Sequence, residues 1–307
     1  MNIFPAQYKY ILWENEEMLA DSHIHLSSIA FDGDPLCVSD LLEEKYQIVR
    51  LSREDLIKKC KEMDIRFCIE PGIDLHSNFC LLELTKADPA YIYPAVGIHP
   101  TSAGSLRYRE RKTIEKLLNQ NKNVVAVGET GLDYHVPRQN GLHRLRQMLF
   151  FSYQIRLAYK NKLPLILHIR CADRDAVRIL RLHKKMLDNG GVVHCFKGNV
   201  DLAHRYIEEF GFHLGIGGAL LQQNCTDLEE TVRNVPLKWL IVESDGPFVK
   251  PQRPLYISGK KWKKGKNTSL ILHNVVDRIA EIKGMDRETT ERIIYENTKE
   301  LFRINEI

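Results

Sequence analysis

Near the N-terminus the chain reads Leu19-Ala20-Asp21-Ser22-His23-Ile24-His25-Leu26. Alternate side chains of a β-strand point to the same face, so a strand here would turn His23 and His25 the same way, with Asp21 beneath them. Neutral imidazole is a common ligand for zinc and related ions, and one rigid strand delivers two of them at little entropic cost. An isolated His-x-His pair is more often a pair of surface histidines, so the metal interpretation depends on the rest of the chain.

After this first strand, short apolar runs alternate with amphipathic helical patterns. The predicted strands that follow cover 65–69, 91–98, 124–128, 165–169, 191–195, 212–216 and 239–242. Eight nearly continuous apolar strands with helices between them favour a closed, parallel (β/α)8 TIM barrel. An open, doubly wound sheet is the alternative, but no Gly-x-Gly-x-x-Gly follows an early strand to support it. The segment 27–52 reads as a long loop with one short helical piece, and helices at 269–283 and 287–295 would complete the outer ring.

Length and composition indicate one large domain. The 307 residues are 44% hydrophobic and 27% charged, which suits a globular barrel over 19–307 preceded by an N-terminal extension over 1–18. The seven cysteines are scattered without a Cys-x-x-Cys pair, so we expect free thiols. No apolar run reaches the length of a membrane span, and the first residues lack the order of a signal peptide; we therefore expect a cytoplasmic monomer that does not bind membranes.

Polar side chains gather where the predicted strands end. His99, Glu129, His168, His194 and Asp245 each terminate an apolar run. The carboxyl ends of the strands form the active face of a TIM barrel, so these side chains should meet there. A single such residue is more often a satisfied polar group or a helix cap. With the first-strand pair, however, they make a set of metal-competent side chains that chance does not explain.

Four imidazoles and two carboxylates suit two divalent ions about 3.5–4 Å apart, the arrangement used in phosphoryl hydrolysis. The six predicted ligands are His23, His25, Glu129, His168, His194 and Asp245. We expect Glu129 to bridge the ions, with His23, His25 and Asp245 on one and His168 and His194 on the other. Water activated there would be the nucleophile, and Asp245 would orient it and accept its proton. Zn²⁺, Mn²⁺ and Mg²⁺ all suit some part of this ligand set and chemistry.

Six motifs resemble, in order, those of the TatD family of metal-dependent deoxyribonucleases. They are Asp-Ser-His-Ile-His at 21–25, Val-Gly-Ile-His-Pro at 96–100, Val-Gly-Glu-Thr-Gly-Leu-Asp-Tyr at 127–134, Pro-Leu-Ile-Leu-His-Ile-Arg at 164–170, His-Cys-Phe-Lys-Gly at 194–198 and Glu-Ser-Asp-Gly-Pro at 243–247. The resemblance implies a barrel, two divalent metals held by the six residues, and phosphodiester hydrolysis, often 3′-to-5′ exonucleolytic on DNA. It also implies that His99 and Arg170 contact the substrate phosphate.

The chain departs from the family pattern in three places. Thr101 stands where a second histidine usually follows Gly-Ile-His-Pro, and Gly246 replaces a hydroxyl residue after Asp245. The stretch 265–268 lacks the usual Arg-Asn-x-Pro. All three departures lie outside the six ligands, so they bear on substrate preference and not on the metal set.

The most basic segment of the chain follows the eighth strand, at 249–266. Its Lys260, Lys261 and Trp262 are candidate contacts to a polyanion whose bases can stack, although a solvated loop is an equal alternative. Arg170, next to a predicted ligand, suits a bidentate phosphate clamp, and Lys197 could assist it. Because the net charge is only +4, a nucleic-acid role depends on where these charges lie.

These features predict DNA as the partner, and the sequence gives no indication of a protein partner. The other enzyme class that the same metals would serve is an amidohydrolase-like enzyme acting on a small ester, amide or lactone, or on an aminoacyl ester of tRNA. Glu243 lies two residues before Asp245 and therefore on the same strand face, where it could support a ligand.

Overall fold

A computed structural model describes residues 18–41, 45–103, 108–135 and 141–304. The strands of the described ranges are β1 Leu19–Asp21, β2 Leu36–Leu41, β3 Lys45–Arg50, β4 Ile65–Pro71, β5 Ile92–Val96, β6 Ala126–Asp133, β7 Leu165–Arg170, β8 Gly191–Val193, β9 Phe212–Ile216 and β10 Leu240–Val242. Eight of them form one parallel sheet in the order β1, β4, β5, β6, β7, β8, β9, β10, and β2 pairs with β3 in a separate antiparallel hairpin.

The sheet curls until its last strand returns to its first. The amide of Ser22 donates to the carbonyl of Val242 at 3.0 Å, and the amide of Asp245 donates to the carbonyl of His23 at 2.8 Å. Ile24 and Gly246 form a parallel bridge just beyond. These contacts nearly close the barrel, which confirms the predicted TIM barrel and excludes the open sheet.

Helices lie between the strands and outside the sheet. They are α1 Arg53–Glu62, α2 Leu75–Ala87, α3 Pro100–Ala103, α4 Tyr108–Gln120, α5 Gly141–Asn161, α6 Asp173–Leu182, α7 Val200–Phe210, α8 Thr226–Asn234, α9 Gly259–Lys264, α10 Leu272–Lys283 and α11 Arg287–Phe302. Side-chain caps fix several starts: Asn199 accepts from the amide of Leu202 at the start of α7, where a capped amide stabilises the first turn. None of the described helices combines the length and the apolar composition needed to cross a membrane.

One buried cluster takes residues from seven barrel strands and packs against the end of α11. Its strand members include Ala20, Ile69, Ala95, Ala126, Ile166, Val192 and Ile241. Because side chains repeat every two residues, the residues two positions past Ile166, Val192 and Ile241 turn to the same face. These are His168, His194 and Glu243. The strand faces that form the apolar interior therefore also place these polar side chains at the carboxyl end of the barrel.

Three sequence predictions about local structure were wrong. The segment 27–52 is not a long loop: it contains the β2–β3 hairpin, which pairs Leu36 with Arg50 and Leu41 with Lys45. The first strand ends at Asp21 and not at Leu26. The last helix runs unbroken through Arg287–Phe302. Most of the predicted N-terminal extension, residues 1–17, lies outside the described residues.

Candidate metal centre

Two imidazoles and a carboxylate converge at the end of β1. The Nε2 atoms of His23 and His25 lie 3.2 Å apart, and Oε2 of Glu129 is 3.6 Å from each of them. Although β1 ends before His23, the bridge of Ile24 to Gly246 keeps this stretch extended, so both rings still turn to one point. This is the pairing that the alternation predicted.

Asp245, which follows β10, the last strand of the sheet, completes this set. Its Oδ1 lies 3.9 Å from Nε2 of His23 and 3.7 Å from Nε2 of His25. Ligands around a tetrahedral ion with bonds of about 2.1 Å are separated by about 3.4 Å, close to the spacing of these atoms. The donor set therefore fits a divalent cation.

The other oxygen of Glu129 faces a second set of imidazoles. Its Oε1 lies 2.9 Å from Nδ1 of His168, 3.4 Å from Nε2 of His194 and 3.8 Å from Nε2 of His99. The ring of His194 also stacks on that of His23 at a centroid distance of 3.7 Å, so His194 stands between the two sets. The structure thus brings all six predicted ligands together.

His99 lies closer to the centre than a substrate contact requires. With Glu129 and His168 it forms one of the groups whose ligand atoms lie within 4.8 Å of one another. Its Nδ1 is 2.7 Å from the hydroxyl of Thr101. The residue that replaces the usual second histidine therefore orients the first, and leaves Nε2 of His99 directed to Glu129.

Sequence reasoning gave no role to Asp133, although it lies within the quoted Gly-Leu-Asp-Tyr. Its Oδ2 is 3.3 Å from Nε2 of His168, so the His168 ring is held between two carboxylates. The sequence also indicated no role for Glu70. This carboxylate accepts hydrogen bonds from the amides of Leu26 and Ser27 and from the Ser27 hydroxyl at 2.5–3.0 Å. Glu70 thereby fixes the turn that follows His25. The available signal for both was a carboxylate at the end of an apolar strand.

Glycines let β6 approach its neighbours closely enough for Glu129 to reach both sets. A Cβ on Gly128 would lie 2.6 Å from the Cβ of Ile166 on β7, and a Cβ on Gly97 would lie 2.5 Å from the Gly128 backbone. Gly131 adopts φ +136, where a side chain is strained, and packs against the carbonyl of His168. Side chains at these positions would push Glu129 and His168 apart.

A second layer of side chains holds the ligands. Oε1 of Glu243 is 3.0 Å from Nδ1 of His194 and accepts from the amide of Cys195 at 2.5 Å. Asp21 accepts from the amides of His23 and Ser244 and from the hydroxyl of Ser269. Such partners orient a ligand ring and select its tautomer. Glu243 therefore takes the supporting position expected from its strand face, and Asp21, for which the sequence indicated no role, supports the closure of the barrel beside His23.

The protonation of the site favours cation binding. Burial lowers the pKa of His23 and of His25, which favours the neutral form of each ring, the form that binds a metal. Burial alone would raise the pKa of Glu129, but His99, His23 and His194 hold it well below its usual range. For His194, burial is outweighed by the charges of Glu243, Asp245 and Glu129, which raise its pKa to about 10. Cations would displace protons that the carboxylates otherwise attract.

The predicted substrate contacts divide into two groups. Arg170, at the end of β7, and Lys197, in the loop after β8, are exposed near the ligands of their strands. Lys260 and Lys261 are exposed on α9, but Trp262 is only 8% exposed and packs edge-on against Tyr46 of the hairpin. The expectation that Trp262 stacks on a base is therefore not met in this structure, because the β2–β3 hairpin covers its ring.

A barrel with imidazoles and carboxylates converging at the carboxyl ends of its strands defines a metal-dependent hydrolase. The sequence model of the family described as TatD related DNase matches residues 20–303. The chain therefore belongs to the TatD family, as the six motifs indicated.

Individual proteins agree with this assignment. The uncharacterized metal-dependent hydrolase YabD of Bacillus subtilis is 31% identical over 288 residues, which cover 94% of this chain and 100% of YabD. The uncharacterized metal-dependent hydrolase YcfH of Escherichia coli K12 is 28% identical over 289 residues, covering 94% of this chain and 96% of YcfH. The crystal structure of YjjV, a TatD homolog from Escherichia coli K12, superposes with a TM-score of 0.78 at 23% identity, covering 94% of this chain and 98% of YjjV.

Proposed function

We propose that this hydrolase cleaves phosphodiester bonds of DNA, removing nucleotides from a 3′ end, with two divalent cations held on either side of Glu129. The observation that carries the proposal is the position of the Glu129 carboxylate. One oxygen faces His23 and His25, and the other faces His168 and His194. A carboxylate shared in this way suits a pair of cations, the arrangement that stabilises the attacking and leaving oxygens of a phosphoryl transfer.

When bound, the cations would supply Lewis-acid stabilisation of the phosphoryl oxygens and lower the pKa of water towards neutrality. Asp245 is placed to accept the proton of the attacking water, since its Oδ1 faces the same point as His23 and His25. Burial raises the pKa of Asp245 to about 7, and Glu129 and Glu243 reinforce this while His194 opposes it. A cation beside the carboxylate would lower that pKa and favour the basic form.

The proposed choice of DNA over a small substrate depends on the charge around the site. Arg170 is exposed at the end of β7, two residues after His168, where a planar guanidinium can bind two phosphate oxygens at once. His99 directs its Nε2 to the same oxygen of Glu129 as His168 does, and can contact a phosphoryl oxygen from that side. The description of the family as TatD related DNase agrees with a polyanionic substrate.

Digestion of end-labelled single-stranded DNA and RNA in Mg²⁺, Mn²⁺ and Zn²⁺ tests the proposal. We expect DNA labelled at its 5′ end to shorten progressively, and the Glu129→Gln variant to leave it intact. Failure of the wild-type protein to cut either nucleic acid in any of the metals would overturn the nuclease function. Hydrolysis of p-nitrophenyl acetate or of an aminoacyl-tRNA ester by the same preparation would then assign the other enzyme class.

A further inference from the structure

A groove with a cavity of about 880 Å³ runs along α6, the helix that follows β7 and its candidate ligand His168. Its wall at the metal end is formed by Tyr134 and Cys171. Tyr134 follows Asp133, which contacts His168. The amide of Tyr134 donates to the carbonyl of Arg170 at 2.9 Å. The groove therefore begins where the predicted phosphate clamp ends.

Three arginines of α6 line this groove: Arg174, Arg178 and Arg181. Their spacing of four and three residues places them on one face of the helix. At 1.5 Å per residue they span about 10 Å along the axis, the rise of about three nucleotides in a B-form strand. The row thus repeats positive charge over the distance of a few phosphates.

These arginines are not equally available. Arg181 makes a bidentate pair with Glu209 at 2.7 and 2.8 Å. The side chains of Arg174 and Arg178 are exposed, and among the described residues neither guanidinium has a hydrogen-bond or ion-pair partner. A structural role would pair the guanidinium groups within the fold, as Arg181 is paired with Glu209. The guanidinium groups of Arg174 and Arg178 instead line the groove without such a pair.

The acidic side chains of the groove accept hydrogen bonds within the fold. Asp175 accepts from the Tyr134 hydroxyl at 3.0 Å and Asp173 from the Tyr206 hydroxyl at 3.3 Å. Both lie in the first turn of α6, where the helix dipole compensates negative charge. Since Arg181 is paired with Glu209, Arg174 and Arg178 are the lining guanidinium groups that can contact a ligand. The ring of Tyr134, stacked against the Arg144 guanidinium at 4.6 Å, adds a half-buried aromatic surface.

We propose that this groove binds the continuation of a single-stranded nucleic acid whose scissile phosphodiester lies at the metal centre, with Arg174 and Arg178 contacting backbone phosphates. Guanidinium groups bind phosphate oxygens in a fixed fork, and a row of them next to an aromatic ring is typical of a strand-tracking surface. This inference rests on the proposed phosphodiesterase function. It adds that the enzyme prefers substrates several nucleotides long and identifies the residues that make it so.

The test compares the double variant Arg174→Gln/Arg178→Gln with a matched control, Arg233→Gln/Arg292→Gln. The control removes the same charge from exposed positions on α8 and α11, outside the groove. Binding of a fluorescein-labelled single-stranded DNA of ten nucleotides is followed by anisotropy at several salt concentrations. Hydrolysis of that oligonucleotide, of a dinucleotide and of bis(p-nitrophenyl) phosphate is measured in parallel.

We expect the groove variant to bind the ten-nucleotide strand about tenfold more weakly, because two exposed charge contacts are lost. The slope of log affinity against log salt should fall by about 1.4, since each phosphate contact on a single strand contributes about 0.7. KM for the long strand should rise with kcat unchanged, and both small substrates should be cut as by the control.

Wild-type affinity and salt slope in the groove variant would overturn the inference, as would an equal loss on the dinucleotide and the long strand. If the wild-type protein binds the strand through these arginines but cleaves none of the three substrates, the proposed phosphodiesterase function fails while the groove is still shown to bind nucleic acid. The two failures are therefore distinguishable.

Discussion

The two halves of the metal centre share Glu129 but differ in how they are enclosed. On one side, the side chains of His23, His25 and Asp245 are 0%, 5% and 11% exposed. On the other side, those of His99 and His168 are 13% and 17% exposed. The first half is backed by Asp21, which links the strands where the barrel closes. The second half adjoins the arginine-lined groove. The comparison indicates a more enclosed half and a more exposed half, and we propose that substrate approaches the exposed half.

Replacement of Glu129 by glutamine should have the largest effect, because this residue serves both halves. The amide removes the negative charge and one of the two shared oxygens, so we expect more than about a 10³-fold loss of kcat on DNA and loss of bound metal. The measurement is steady-state cleavage together with metal analysis of the purified protein. Glu83→Gln, at a carboxylate 73% exposed on α2, is the matched control and should change neither. Retention of metal and activity by the Glu129 variant would remove it from the centre.

Asp245→Asn tests the proposed base in the closed half. Loss of a positioned proton acceptor typically lowers kcat by about 10²–10⁴-fold. Asp245 has φ 52, a left-handed conformation that asparagine also tolerates, so the fold should be preserved. Cleavage rates at saturating metal and the thermal unfolding midpoint check both points. A wild-type rate would assign proton transfer to another group.

Glu243→Gln tests the support of His194, the ligand that stands between the halves. The amide removes the negative charge beside Nδ1 of His194, where Oε1 of Glu243 lies 3.0 Å away, so metal affinity should fall about 10–100-fold. Excess metal should largely restore kcat, which distinguishes a positioning residue from a catalytic one. Gly215→Ala should act in the same direction, because its methyl group would collide with the Glu243 carboxylate. Normal metal titrations for both variants would contradict this support.

Asp133→Asn should affect the open half alone. Asp133 lies 3.3 Å from Nε2 of His168, and its replacement should lower the affinity for one of the two proposed cations by about tenfold. A metal titration followed by activity should then separate into a tight and a weak phase. If both phases weaken together, the halves do not act as separate sites.

The smallest effect is expected from the basic segment. Neutralising Lys260, Lys261, Lys263 and Lys264 together should lower DNA affinity by no more than about threefold, because the proposed strand path follows α6, so these lysines would act only through screened long-range attraction. A salt titration of DNA binding measures this. A larger loss than that of the groove variant would place the strand on α9 and not on α6.

The sequence determined the metal centre well because ligand chemistry is local. A histidine or carboxylate directly after an apolar run must lie at the active face once the strands are parallel, so positions such as His168 and His194 could be located without coordinates. Their support could not be found in this way. Asp133 acts only because Gly131 brings β6 against His168, and that approach depends on backbone geometry.

The surroundings of the centre were predicted less well, because they too depend on how distant segments pack together. Trp262 lies in a basic segment and reads as an exposed aromatic, yet the β2–β3 hairpin, itself missed, covers it. The sequence indicated no role for the arginines of α6. The role proposed for them depends on their position in one groove with Tyr134, which only the tertiary structure supplies.

The most direct test is diffraction from crystals of the protein soaked in Mn²⁺, with anomalous scattering used to locate the ions. We expect two peaks about 3.5–4 Å apart, one on each side of the Glu129 carboxylate. One peak should contact His23 and His25, and the other His168. A single peak, or peaks that do not share Glu129, would contradict the binuclear centre.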